Sequence, residues 1–255
     1  MSEVPIQVAS VTKRYGGRTV LDAINLEVRT GETLVILGGS GSGKSTLLRL
    51  MIGNVRPDGG SIIAWGHDVC RMSDQQVNDY RKSIGVLFQS GALFDSLTVG
   101  ENVAYPLRER ALRDLAPQDE DRIQQRVDQL LEVVELENVK DLRPSDLSTG
   151  MKRAVAIARA LAAEPEAILF DEPTTMVDPI MAITIADLIL KLKRRQGITS
   201  VVVTHDMKLA RKLADRVVFL LDGRVAFFGP VNDLDAAPEP VIHDFIQLDE
   251  VSFLK

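Results

Sequence analysis

The sequence predicts an α/β fold with a mostly parallel sheet, an antiparallel β subdomain and an inserted helical subdomain. Three observations carry this expectation. From Ala167 onward, strand-like and helix-like patterns alternate. A wholly apolar run, Thr33 to Leu37, leads straight into the glycine-rich stretch Gly38 to Gly43. Between Leu107 and Arg126 half of the residues are charged, and an amphipathic helical stripe follows.

Each element has its own reason. "IQVASVTKRY" and "TVLDAINLEV" are rich in β-branched residues with partial alternation, so both read as strands. "TLVIL" has no polar face, as in a strand covered on both sides. "LLRLMIGN" reads as a helix stopped near Gly53 and Asn54, and "GSIIAWGHDV" as a short hairpin. The balanced charges from Arg108 to Arg126 fit a solvated helical face. Ile123, Val127, Leu130, Leu131 and Val134 then recur at helical spacing, and the helical subdomain is expected over about 89–162. After it, "AILFDE" is a strand, "PIMAITIADLILKLKRR" a helix stopped by Gly197, "SVVVTH" a strand and "DMKLARKLA" a helix. "RVVFLL" and "RVAFFG" flank an Asp-Gly turn and form a hairpin.

Composition excludes several classes. The 255 residues are 45% apolar and 26% charged, ordinary for a globular chain. A chain of this length buries roughly three-quarters of its unfolded surface and needs no covalent staple. Cys70 is the only cysteine, so there is no internal disulfide, and it reads as an inert small hydrophobe. The net charge of −6 argues against a nucleic-acid partner. Nowhere do about 18 uncharged apolar residues follow one another, and "MSEVPIQVAS" lacks the basic-then-apolar pattern of a secretory signal. The chain is therefore expected to be soluble, with any membrane role arising through a partner.

Gly38 to Ser45, "GGSGSGKS", fits G-x-x-x-x-G-K-[ST] between an apolar strand and a helix. Glycines at 38, 39, 41 and 43 let backbone N–H groups curl around phosphate oxygens, with Ser40 and Ser42 between them. The helix amino terminus at Lys44, Ser45 and Thr46 adds unpaired donors. Lys44 is placed to reach the β and γ phosphates, and the Ser45 hydroxyl to ligate Mg²⁺, so a nucleoside triphosphate is the expected ligand. "AILFDE" puts Asp171 and Glu172 at the carboxyl end of a buried strand, where ligands of open α/β sheets bind. Asp171 fits Mg²⁺, and Glu172 a general base for the attacking water. "LSTGMKRAVAIARAL" opens a helix on Ser148 and Gly150, a second anion-binding terminus by type; taken alone it reads sooner as an N-capped core helix.

Taken in order, Tyr15, the phosphate loop, Gln89, "LSTGM", "LFDEPTT", Asp178 and His205 resemble the nucleotide-binding subunits of ABC transporters. The likeness runs from about 6 to 235 as a single ATP-binding domain, leaving 236–255 as a tail that fits a partner or dimer contact. The resemblance implies ATP as substrate and a role for each position. Tyr15 would stack on adenine, and Gln89 would complete the Mg²⁺ site with Ser45 and Asp171. Ser148, Thr149, Gly150 and Met151 would form a signature acting on the ATP of a second subunit. Asp178 would lie at the dimer seam, and His205 would contact the γ-phosphate as a switch. Two copies would then sandwich two ATP molecules head to tail. His67 and His243 lack such a context and are expected at the surface.

The stretch "LFQSGALFDSLTVGENVAYPLRE", with Met151 and Asp178-Pro179, is similar to the Mla and Mce group of phospholipid transport ATPases. That likeness implies an integral membrane permease, a lipid-binding protein of the mammalian-cell-entry type and a small regulatory subunit as partners. It also implies a place on the cytoplasmic face of the inner membrane, peripheral through the permease. A polar amino-acid importer is the alternative. Thr149, Met151 and Met176-Val177 depart from the family's usual residues, which leads us to expect modest basal turnover.

Overall fold

The computed structural model describes residues 4–89, 91–113 and 120–251. Asp114, Asp119 and Phe253 lie outside them, as do the side chains of Arg110, Arg113, Leu248 and Val251. The chain divides into two compact units, one of Met1–Arg81 with Ile189–Lys255, the other of Lys82–Leu188.

In the first unit, β1 (Ile6–Tyr15) pairs antiparallel with β2 (Arg18–Val28) and with β4 (Gly59–Ala64). The short β5 (His67–Asp68) completes this antiparallel sheet in the order β2-β1-β4-β5. Ile6, Val8, Val11, Ile24, Leu26 and Ile62 alternate inward and are buried, which explains the partial alternation of the sequence. A second sheet is centred on β3 (Thr33–Leu37), parallel to β8 (Thr199–Val203) on one side and to β9 (Arg216–Leu221) on the other. Every residue of β3 and β8 is buried, as the unbroken apolar runs predict. β10 (Arg224–Pro230) turns back antiparallel on β9 through Asp222 (φ 48°) and Gly223 (φ 76°). Positive φ at both central residues is the turn that matches strand twist. α1 (Lys44–Met51) follows β3, and α7 (Met207–Leu213) follows β8. Asp206 caps α7 by accepting the Leu209 N–H at 2.9 Å.

α2 (Asp74–Lys82) is an element the sequence pattern does not reveal. Only Val77 and Tyr80 of its nine residues are buried, too few to make a stripe. Tyr80 donates its hydroxyl to the Met51 carbonyl at 2.5 Å, and burial pushes that phenol well above its ordinary pKa. α8 (Pro240–Val251) packs on its own unit: Ile242 is buried, and Phe245 meets Phe219 edge-on at 5.1 Å. His243 is half-buried rather than at the surface, its Nε2 2.8 Å from the Ala237 carbonyl oxygen.

In the second unit, β6 (Ile84–Leu87) pairs in parallel with β7 (Ala167–Asp171). β6 also escapes the sequence reading, because four residues carry no period to detect. Three helices belong here: α3 (Val99–Arg113), α4 (Glu120–Val133) and α5 (Thr149–Ala162). The stripe Ile123, Val127, Leu130, Leu131 and Val134 is buried. Asn102, also fully buried, donates from Nδ2 to the carbonyls of Phe94, Leu97 and Thr98 and accepts the Phe94 N–H, pinning the 94–98 loop to α3. α6 (Pro179–Gln196) carries the chain onward from this unit. Among the described residues no helix is long and apolar enough to cross a membrane.

Candidate functional site

The first unit holds the phosphate-loop part of the site. β3 delivers the chain to Gly38, whose φ of 150° and surroundings both exclude a side chain. A Cβ there would lie 2.4 Å from the Leu220 carbonyl oxygen and 2.7 Å from Ser42 Oγ. Gly43, at φ 104°, precedes α1, and a Cβ on it would meet Leu21 Cδ2 at 2.5 Å. The loop is thus pressed against its own sheets at Gly38 and Gly43. Lys44 is 8% exposed and donates to the carbonyls of Gly38 (2.7 Å) and Gly39 (3.0 Å). These bonds curl the loop around the ammonium.

One observation tests directly whether this loop fits phosphate. Ser42 Oγ is buried with no hydrogen-bond partner among the described residues. A hydroxyl left so costs about 1–3 kcal/mol, and an anionic oxygen would satisfy it. Ser45 and Thr46 are half-buried in the first turn of α1, while Gly39, Ser40 and Gly41 are exposed. Of the residues expected to hold Mg²⁺, Ser45 belongs to this unit and Gln89 and Asp171 to the second, and each carries an oxygen donor of the kind a hard cation takes. Among the described residues no group of three or more His, Cys, Asp or Glu could hold a metal by itself.

Tyr15 ends β1 46% exposed, with the Lys13 ammonium 5.2 Å from its ring centroid. An open aromatic face beside a cation suits a stacked base. His205 is exposed just past β8, between two pinned neighbours. The Thr204 N–H donates to the Ile36 carbonyl at 3.1 Å, and its Oγ1 accepts the Asp206 N–H at 3.1 Å. His205 is therefore presented from a fixed backbone.

The second unit holds the carboxylates. β7 is buried up to Phe170, then Asp171 and Glu172 emerge half-buried at its carboxyl end. Glu172 has φ 49°, a left-handed backbone that costs a non-glycine residue about 1–3 kcal/mol and gathers at functional sites. Its carboxylate accepts the Thr175 hydroxyl at 3.0 Å. Asp178, exposed, caps α6 by accepting the Met181 N–H at 3.0 Å. Ser148, also exposed, caps α5 by accepting the Met151 N–H at 3.2 Å. Thr149 is exposed beside it and Met151 is half-buried. Gly150 is buried because a Cβ would lie 2.0 Å from Met181 Cγ. Gln89 is exposed after β6. Arg153, which donates to the Glu172 and Thr175 carbonyls, is a residue that no pattern rule singles out inside an apolar helix, and "LFDEPTT" assigns no role to Thr175.

The sequence profile of the ABC transporter family matches residues 21–175. An intermembrane phospholipid transport ATP-binding protein, MlaF, of Haemophilus influenzae is 40% identical over 92% of this chain and 87% of its own length. A methionine import ATP-binding protein, MetN, of Geobacillus kaustophilus is 38% identical over 95% of this chain and 70% of its own. The dimeric post-hydrolysis structure of the ATP-binding cassette MJ0796, bound to ADP and Pi, superposes with a TM-score of 0.80 at 34% identity. It covers 89% of this chain and 98% of that one. Glycine-rich loop, strand-end carboxylates and the helix capped by Ser148 stand in an architecture matched along nearly its whole length: the chain belongs to the ABC transporter family, as an ATP-hydrolysing ATP-binding domain.

Proposed function

We propose that this chain is the ATPase subunit that drives phospholipid movement between the membranes of a diderm cell envelope. The observation carrying the lipid assignment is the 40% identity to intermembrane phospholipid transport subunits over 92% of the chain. Met151 and Asp178-Pro179 agree with it. The methionine-importer likeness, at 38% identity, supports a second reading, import of a polar amino acid.

In either case the residues act alike. Lys44 and the backbone N–H groups of the loop Gly38 to Ser45 hold the triphosphate, and Ser42 Oγ gains a partner. Tyr15 stacks on the base. Ser45, Gln89 and Asp171 would hold Mg²⁺, which would neutralise phosphate charge. Glu172 takes the proton of the attacking water, oriented by the Thr175 hydroxyl, and His205 reads the γ-phosphate. Ser148, Thr149, Gly150 and Met151 serve the nucleotide of a second copy, with Asp178 at the seam, so the working form is a homodimer. Closure on ATP and reopening after hydrolysis move an integral membrane permease on the cytoplasmic face of the inner membrane.

Isolation of Glu172→Gln from native membranes in mild detergent tests the cargo. A multi-pass permease with a mammalian-cell-entry-type protein and enriched phospholipid is the expected result. A permease with a solute-binding protein and no enriched lipid would move the assignment to amino-acid import.

A further inference from the structure

One buried cation of the Lys82–Leu188 unit connects the signature helix to the catalytic carboxylate of the same chain. Arg153 lies in the second turn of α5 and is 3% exposed. Its Nη2 donates to the Thr175 carbonyl at 2.9 Å, and its Nη1, at 3.4 Å, to the Glu172 carbonyl. Thr175 in turn donates its hydroxyl to Glu172 Oε2 at 3.0 Å and its N–H to the Glu172 carbonyl at 3.3 Å. Arg153 thus closes on both ends of the turn that aims the carboxylate. The residue at the head of that turn is the one whose backbone is left-handed.

The chemistry of the link is particular. A guanidinium is costly to bury, and no carboxylate compensates this one among the described residues; burial lowers it from its ordinary pKa. Its planar fork spans two carbonyl oxygens at once, which a lysine ammonium cannot do with the same geometry. A second contact joins the same helix to the same loop: Gly150, three residues before Arg153, is packed on Met181 in the first turn of α6. The segment between β7 and α6 is therefore clasped by α5 at both ends.

We propose that Arg153 is a positioning residue. It holds the 172–175 turn in its strained form, so that the Thr175 hydroxyl orients the Glu172 carboxylate. A displacement of α5, whose amino terminus carries the signature, is then transmitted to the base of its own chain. The proposal rests on the reading of Glu172 as general base.

The test uses the full chain with ATP and Mg²⁺. Arg153→Gln is expected to lower kcat about ten- to a hundred-fold, with KM for ATP changed by no more than about two-fold. Thr175→Val should show the same kcat-only loss, and the double variant should fall no further than the worse single one. Arg153→Lys should recover only part of the rate. Melting temperature and nucleotide affinity are measured for each, with Glu172→Gln alongside. If Glu172→Gln is inactive while Arg153→Gln turns over normally, the positioning role is overturned and the base assignment stands. If Glu172→Gln remains active, the base assignment falls and takes this proposal with it. Losses of affinity and melting temperature in step with kcat, or full recovery by lysine, also overturn it. Should Arg153→Gln not fold, the Thr175→Val and Arg153→Lys rates decide by the same criteria.

Discussion

Gly60 and Gly197 both adopt left-handed backbone, at φ 80° and 62°, but only one of them is crowded. A Cβ at Gly60 would lie 2.4 Å from the Ser10 carbonyl oxygen, whereas at Gly197 it would meet nothing within 4 Å. Gly197→Ala is expected to cost about 1 kcal/mol, the conformational strain alone. Gly60→Ala should exceed about 3 kcal/mol, because backbone must move as well. Urea unfolding of both variants distinguishes the two contributions. Cys70 offers a pH test. Burial raises its thiol above the ordinary pKa, so less thiolate is present at any pH below that value. Alkylation by iodoacetamide near pH 8 should be slower in the folded chain than in urea, and the gap should narrow as pH rises through the folded pKa. Equal rates at pH 8 would show that the thiol is unshifted. Lys44→Ala should lose ATP binding in calorimetry while its melting temperature stays measurable, since its ammonium organises the loop around Gly38 and Gly39.

Among the elements, α4 shows how periodicity becomes packing. Leu131 is buried in its stripe and Glu132, the next residue, is exposed. Leu131→Ala should destabilise by about 2–4 kcal/mol and Glu132→Ala by less than about 0.5 kcal/mol. The same contrast explains what could be read from the sequence. β3, β8 and α4 announce themselves because burial on two faces, or on one stripe, leaves a pattern in consecutive residues. The Asp222-Gly223 turn does so because its backbone demands particular residue types. α2 and β6 are silent: two buried side chains in nine residues, and a strand of four, specify nothing by themselves. The site divides along the same line. Its phosphate loop is a contiguous motif and legible. The Arg153–Thr175–Glu172 link is not, since its partners lie about twenty residues apart and meet only after α5 and β7 have folded. The strain at Glu172 has no sequence signal either, because glutamate is not a residue that favours positive φ.

For the molecule as a whole, the proposed homodimer gives two expectations. Glu172→Gln with ATP should elute from size-exclusion chromatography as a dimer, while the wild type after hydrolysis should not. A monomer in both cases would remove the shared-site mechanism. Basal turnover of the isolated chain should stay below about 10 s⁻¹, the median for enzymes, given that Thr149 and Met176-Val177 depart from the family's usual residues. The two sides of the chemistry also differ in how often they open. β3 is buried at every residue and laddered on both edges, so its amides should exchange with solvent deuterium only when the whole unit unfolds, over hours to days. The loop around Met176, 85% exposed, should exchange within seconds. The phosphate loop thus hangs from the slowest clock in its unit, and the turn bearing Glu172, the proposed base, runs into a fast one. The nucleotide's grip and the timing of its hydrolysis can then be altered separately, by changes that leave the other rate untouched.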